Sequence, residues 1–145
     1  MPTSVKSITL WRTEVTNQPG ALAGVLGPLA QAGADLSVVM GYRYPGESTK
    51  AAVEIYPVSG KKPMAAAQQA GLSAAALPSL LVEGDNKPGL GHAIAQAVAA
   101  AGVNMSFLVA QVVGRKYQAV IGFESDADAK KASGLIKKAT AGKKK

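Results

Sequence analysis

Four polar side chains, in two matched pairs, have the type and placement to hold a ligand: Asn17 with Asp35, and Asn86 with Asn104. Asn17 opens the run Asn17-Gln18-Pro19-Gly20-Ala21, and Asn86 opens Asn86-Lys87-Pro88-Gly89-Leu90. In each copy the second polar residue follows eighteen positions later, two residues after a glycine (Gly33, Gly102) and at the head of an apolar run. An Asn ahead of Pro-Gly at a helix start lies beside the first unpaired backbone amides. Those amides and the helix dipole attract an anion such as a carboxylate, the group an amino-acid ligand would present. The same placement suits a simple cap, in which the carboxamide oxygen satisfies the orphan N–H groups and nothing else binds. Both readings stay open on spacing alone. Asp35 and Asn104 weigh toward a site, but each stands at the far end of a helix from its Asn, so a pair converges only across an interface between units.

Both motifs recur at one interval, 17 to 86 and 33 to 102, which is 69 positions in each case. The chain is therefore one design written twice. Periodicity supports this independently of the motifs. Leu22, Val25, Leu26 and Leu29 form a stripe at helical spacing that Gly33 closes, and Leu90, Ile94, Val98 and Ala101 form the same stripe before Gly102. Pro19 and Pro88 are expected at the first helical position.

The remaining elements follow from pattern. Residues 7–15 and 79–83 read as strands ahead of the helices, and the apolar runs 36–42 and 105–113 as strands after them. Turns at 44–47 and 114–115 lead to strands 51–56 and 117–123, then to helices near 61–70 and 126–138. Each unit is thus strand, helix, strand, strand, helix, and residues 72–77 add a closing strand to the first. This order predicts an α+β chain: a ferredoxin-like βαββαβ fold in two tandem copies packed as a pseudo-symmetric pair. Domain 1 is expected over 1–77 and domain 2, with a basic tail, over 78–145. The second copy has no obvious closing strand, because 140–145 is short, polar and basic, so its edge stays open or another segment covers it. Pro78 argues against an unbroken ladder through the junction.

Size and composition narrow the function. Each half has about 70 residues, too few to bury much core alone, so the halves should pack on each other or on a second chain, and a homodimer is expected. With no cysteine and His92 as the single histidine, no metal or other cofactor is expected, and nucleophilic catalysis would hang on His92 alone. Gly89-Leu90-Gly91-His92 lacks the third glycine of a dinucleotide loop, Glu14 and Glu83 read as strand charges, and Trp11 and Phe107 as packing anchors. An enzyme is not expected. The net charge of +7 sits largely near the C-terminus, in Lys130, Lys131, Lys137, Lys138 and Lys143 to Lys145, with no aromatic interleaving, so nucleic acid is not an expected partner. No run suits a leader or a membrane span, so a cytoplasmic protein is expected.

At these residues the chain resembles the ACT domain family, whose members show Asp or Asn, any residue, Pro-Gly and an apolar residue, then a helix and a Gly-x-Asn-Ile-like strand start. The resemblance spans both halves, through Asn17-Gln18-Pro19-Gly20-Ala21-Leu22 with Gly33-Ala34-Asp35-Leu36, and Asn86-Lys87-Pro88-Gly89-Leu90 with Gly102-Val103-Asn104-Met105. It implies regulatory βαββαβ modules that bind amino acids at interfaces between two domains. It places ligand contacts at Asn17, Pro19, Gly20, Ala21 and Asp35, and at Asn86, Pro88, Gly89, Leu90 and Asn104, with the second repeat the closer match. Serine-binding members carry a His two positions before the first Asn, where this chain has Val15 and Gly84. Asp35, an anion where Asn is usual, suits a ligand ammonium group. The expected function is thus a small-molecule, most simply amino-acid, binding regulatory protein with its ligand at a domain or subunit interface, acting on a separate, unidentified partner such as an enzyme or through its own assembly. The alternative is a ligand-free ACT-fold dimerisation or adaptor module acting on a partner protein.

Overall fold

The computed structural model describes residues 3–141, so the lysines at 143–145 lie outside the described residues. The elements run β1 (Ser4–Ile8), β2 (Trp11–Thr16), α1 (Ala21–Gln31), β3 (Val38–Arg43), β4 (Lys50–Tyr56), α2 (Lys61–Gln69), β5 (Ser73–Ala74), β6 (Ser79–Asp85), α3 (Leu90–Ala100), β7 (Met105–Val113), β8 (Lys116–Phe123) and α4 (Asp126–Thr140). They form two compact units. One is Thr9–Ala76, and the other joins the segment up to Ile8 with the chain from Leu77 onward.

Each unit holds one four-stranded antiparallel sheet, ordered β3-β4-β2-β5 in the first and β1-β6-β8-β7 in the second. The two orders are the same once β6, β7 and β8 are read as the repeats of β2, β3 and β4. Both are the ferredoxin-like order expected from the sequence. The difference is in the closing strand. In Thr9–Ala76 it is β5, two residues against Trp11 and Arg12, far shorter than the 72–77 strand expected. In the other unit it is β1, which pairs with β6 from Ser4↔Glu83 to Ile8↔Ser79. The segment expected to be one strand over 7–15 is therefore two strands in two sheets, parted at Thr9-Leu10. The boundary 1–77 given by the repeat thus differs from the structural one. The edge that looked open in the second copy is covered by the N-terminal strand, whose Val5 and Ile8 are buried.

Alternation along the strands decides what each sheet buries. In Thr9–Ala76, Val53 and Ile55 of β4 join Val25 and Leu29 of α1 and Ala66 and Ala67 of α2, with Trp11 and Val15 packed alongside. In the second unit Leu80, Val82, Ala119, Ile121 and Phe123 meet Leu90, Ile94 and Val98 of α3 and Ala129, Ala132 and Ile136 of α4. Phe107 lies on Gly122: a Cβ built there would stand 2.2 Å from the ring, so the glycine is a packing requirement.

Candidate functional site

The Pro-Gly motif builds a turn. Ala21 N–H donates to the Gln18 carbonyl at 3.2 Å, and Gly20 between them has φ 86° and ψ −5°. Leu90 N–H donates to the Lys87 carbonyl at 3.3 Å, with Gly89 at φ 83° and ψ 2°. Both are type II turns, with Pro at the second position and a left-handed third position that only glycine adopts without strain. Pro19 and Pro88 therefore precede the helix, and the expected Pro at the first helical position is replaced by glycine as the N-cap.

Asn17 does not cap α1. Among the described residues no side chain caps α1 or α3. The Asn17 amide N–H donates to the Thr49 carbonyl at 2.9 Å, and Nδ2 donates to the Ser48 carbonyl at 2.9 Å, so this side chain ties the 44–49 loop to the end of β2. In the second repeat the Asn86 amide makes the matching bond to the Arg115 carbonyl at 2.8 Å. The loop over Asn17 is further braced by Glu47, which accepts from the Thr49 N–H (3.0 Å) and hydroxyl (2.5 Å); these bonds hold its carboxyl below the usual pKa.

Between the first turn of α1 and the helix-facing side of the sheet lies an open cavity of about 240 Å³. Val15, Ala21, Leu22, Ala51 and Val53 supply apolar wall, Asn17, Gln18 and Arg43 bring polar side chains, and Tyr42 also borders it. Arg43 reaches this side because it pairs with Ala51, which pairs with Val15, in the register that sends Val53 into the core. The cavity thus combines an uncapped helix start with a guanidinium, both suited to an anionic group. Among the described residues no carboxylate lines it.

Of the residues expected to bind, Asn17 and Ala21 line the cavity, while Pro19 and Gly20 form the adjoining turn. Asp35 is exposed in the loop after α1, about 16 Å of helix from Asn17. Asn104 likewise stands beyond α3, exposed. Gln18, Leu22 and Arg43 were missed. The signal for Arg43 was present: a charged residue on the parity of Val39 and Gly41, at the end of an apolar run.

The opposite face of the sheet holds a separate polar cluster. The Tyr42 hydroxyl donates to Glu54 Oε2 at 2.7 Å, the Tyr44 hydroxyl donates to Glu14 Oε2 at 2.9 Å, and Lys50 Nζ lies 3.5 Å from Glu14. Arg12 donates to the Tyr44 hydroxyl, with its guanidinium 5.7 Å from that ring's centroid. Burial, then the bond to Glu54, pushes the Tyr42 hydroxyl pKa up. Glu14 and Glu83 are strand charges with partners, Glu83 accepting from Gln118 Nε2 at 3.3 Å. Exposed His92 lies on the first turn of α3. Among the described residues no group of three His, Cys, Asp or Glu side chains is placed to hold a metal ion, and no helix is long and apolar enough to cross a membrane.

The sequence matches no protein-family profile, and no curated protein matches it. Solved structures do match. Protein BT0572 from Bacteroides thetaiotaomicron superposes with a TM-score of 0.71 at 15% identity, over 88% of this chain and 87% of that one. The regulatory subunit of aspartate kinase from Thermus thermophilus, in its ligand free form, gives 0.63 at 18% identity over 96% and 97%. The aspartokinase alpha and beta subunits give 0.61 at 15% identity over the same shares. Likeness at such identities is a likeness of fold, and the chain accordingly shares the tandem ferredoxin-like fold of these proteins, the fold that its resemblance to the ACT domain family implied.

Proposed function

We propose that this chain is a non-catalytic regulatory protein that binds a small carboxylate-bearing ligand, most simply an amino acid, in the cavity of the Thr9–Ala76 unit. The observation that carries the reading is the meeting of an uncapped α1 start and Arg43 over an apolar floor. A volume of about 240 Å³ falls below the 300–1,000 Å³ of drug-sized pockets and suits a molecule of amino-acid size. The carboxylate would face the α1 amides and Arg43, its apolar side chain Val15, Ala51 and Val53, and any ammonium group Asn17 Oδ1. The ACT resemblance adds that a second copy of the chain covers the open side and that Asp35 contributes from there. The likeness to the regulatory subunit of aspartate kinase supports a partner enzyme. A ligand moves such a partner only by preferring one state of the assembly.

The test is a thermal-shift screen against the twenty amino acids. Binding to the folded form must raise its midpoint. One amino acid should raise the midpoint of the native chain and leave that of Arg43→Ala unmoved. A flat profile across all twenty overturns the reading. It would leave the ligand-free adaptor, which a specific observation favours: Val109, Val112 and Val113 are exposed along β7, at the edge of its sheet.

A further inference from the structure

The two repeats differ at the cavity itself. Val15 stands opposite Ala51 in one sheet, and Gly84 opposite Tyr117 in the other. The amides of Asn17 and Asn86 bond the carbonyls of Thr49 and Arg115, two residues before Ala51 and Tyr117. Tyr117 therefore occupies the position of Ala51. By the same registers Gly91 replaces Leu22, Leu90 replaces Ala21, and Val112, paired with Tyr117, replaces Arg43, paired with Ala51.

These exchanges are concerted. A tyrosine replaces alanine under the first turn of the helix, while glycines replace Leu22 and Val15 around it, so ring volume is added where side-chain volume is withdrawn. Tyr117 is 6% exposed and belongs to the core cluster that holds Leu90 and Ile94. Its hydroxyl is buried with no hydrogen-bond partner among the described residues, and a Cβ on Gly91 would stand 3.7 Å from it. Pure core packing would be served by phenylalanine. A polar atom at the first turn of α3 marks where a ligand's polar group would sit.

We propose that Tyr117 is a built-in occupant of the second repeat's site, so that each chain takes one ligand, in the Thr9–Ala76 unit alone. The inference rests on the ligand reading above. A carboxylate entering the second repeat would have to expel a ring that is more than nine-tenths buried, and would find Val112 where Arg43 stands in the first. The Asn-x-Pro-Gly motif survives there as a turn and a strand tie.

The test of the plug uses phenol. Tyr117→Ala opens a ring-sized space, and phenol at millimolar concentration should raise that variant's melting midpoint by several degrees while leaving the native chain unchanged. Should Tyr117→Ala fail to fold, Tyr117→Val, which suits a strand, carries the same comparison. An equal shift in native chain and variant, or none in the folded variant, overturns the plug. Isothermal titration with L-valine then reads stoichiometry: one per chain supports the proposal, two per chain overturns it. Valine failing to bind while phenol rescues Tyr117→Ala would keep the plug and count against valine as a ligand. Grafting the plug, with Ala51→Tyr and Leu22→Gly together, should abolish every amino-acid shift seen in the native chain.

Discussion

Tyr117, Gly122 and Asp85 each turn one local interaction into a measurable quantity. The Tyr117 hydroxyl is buried without a hydrogen-bond partner among the described residues, and that burial pushes its pKa up. An unsatisfied buried donor carries a desolvation penalty of about 1–3 kcal/mol, so Tyr117→Phe should hold or raise stability in denaturant unfolding. Gly122→Ala should act the other way, because its Cβ would meet the Phe107 ring. Displacing that half-buried ring should cost about 1–3 kcal/mol in the same measurement. Asp85 accepts from Lys116 Nζ at 2.6 Å, and that bond holds its carboxyl down at about 2, against an ordinary 3.8. At pH 2 to 4 the unfolded chain therefore binds more protons at this group than the folded one does. The contribution is present above pH 4 and fades as pH falls toward 2. Since the pair is exposed it is screened, and Asp85→Asn should flatten the unfolding midpoint's pH slope over that window most visibly at low salt.

At the scale of elements, the contrast between α4 and the motif helices is instructive. Ser125 Oγ accepts from the Asp128 N–H at 3.1 Å, with Asp126 and Asp128 in the first turn and Lys137 and Lys138 in the last. Such an end is complete in itself, and Ser125→Ala should cost about 1 kcal/mol, read from the unfolding midpoint. α1 and α3 begin instead from a type II turn with no side-chain cap. The Ala21 and Leu90 amides are spent on those turns, and the amides that follow them receive no side-chain cap of the kind that Ser125 gives α4. This difference was half legible. Asn17 and Asn86 were recognisable as special, but a carboxamide near a helix start reads equally as cap, ligand contact or loop tie. Which of these it is depends on the 44–49 loop, thirty residues away in sequence. Pro19 was misplaced because Pro at the first helical position and Pro in a type II turn share the same neighbours; the φ of Gly20 separates them. Arg43 needed the strand's register, since a one-residue slip would have sent it to the face of Tyr42.

At the scale of the whole molecule, the second unit depends on a strand from the opposite end of the chain. Deleting residues 1–8 would expose the β6 edge and remove buried Val5 and Ile8. Hydrogen exchange should then quicken first at the β6 amides that face β1, and slower exchange in the truncated chain would contradict this account. The two-copy design and the order of elements were determined by the sequence alone, because period and spacing are local properties that survive without coordinates, whereas of the first helix stripe Val25 and Leu29 are buried and Leu22 is exposed at the cavity. Which strand closes which sheet was not so determined. Residues 4–8 and 72–77 are both plausible edges by composition, and the choice turns on long-range pairing. The same holds for the asymmetry between the repeats. Asn86 and Asn104 made the second copy look the better site. Only tertiary register sets Tyr117 in the place of Ala51 and Val112 in the place of Arg43, so that the two copies differ in volume and charge at the same positions.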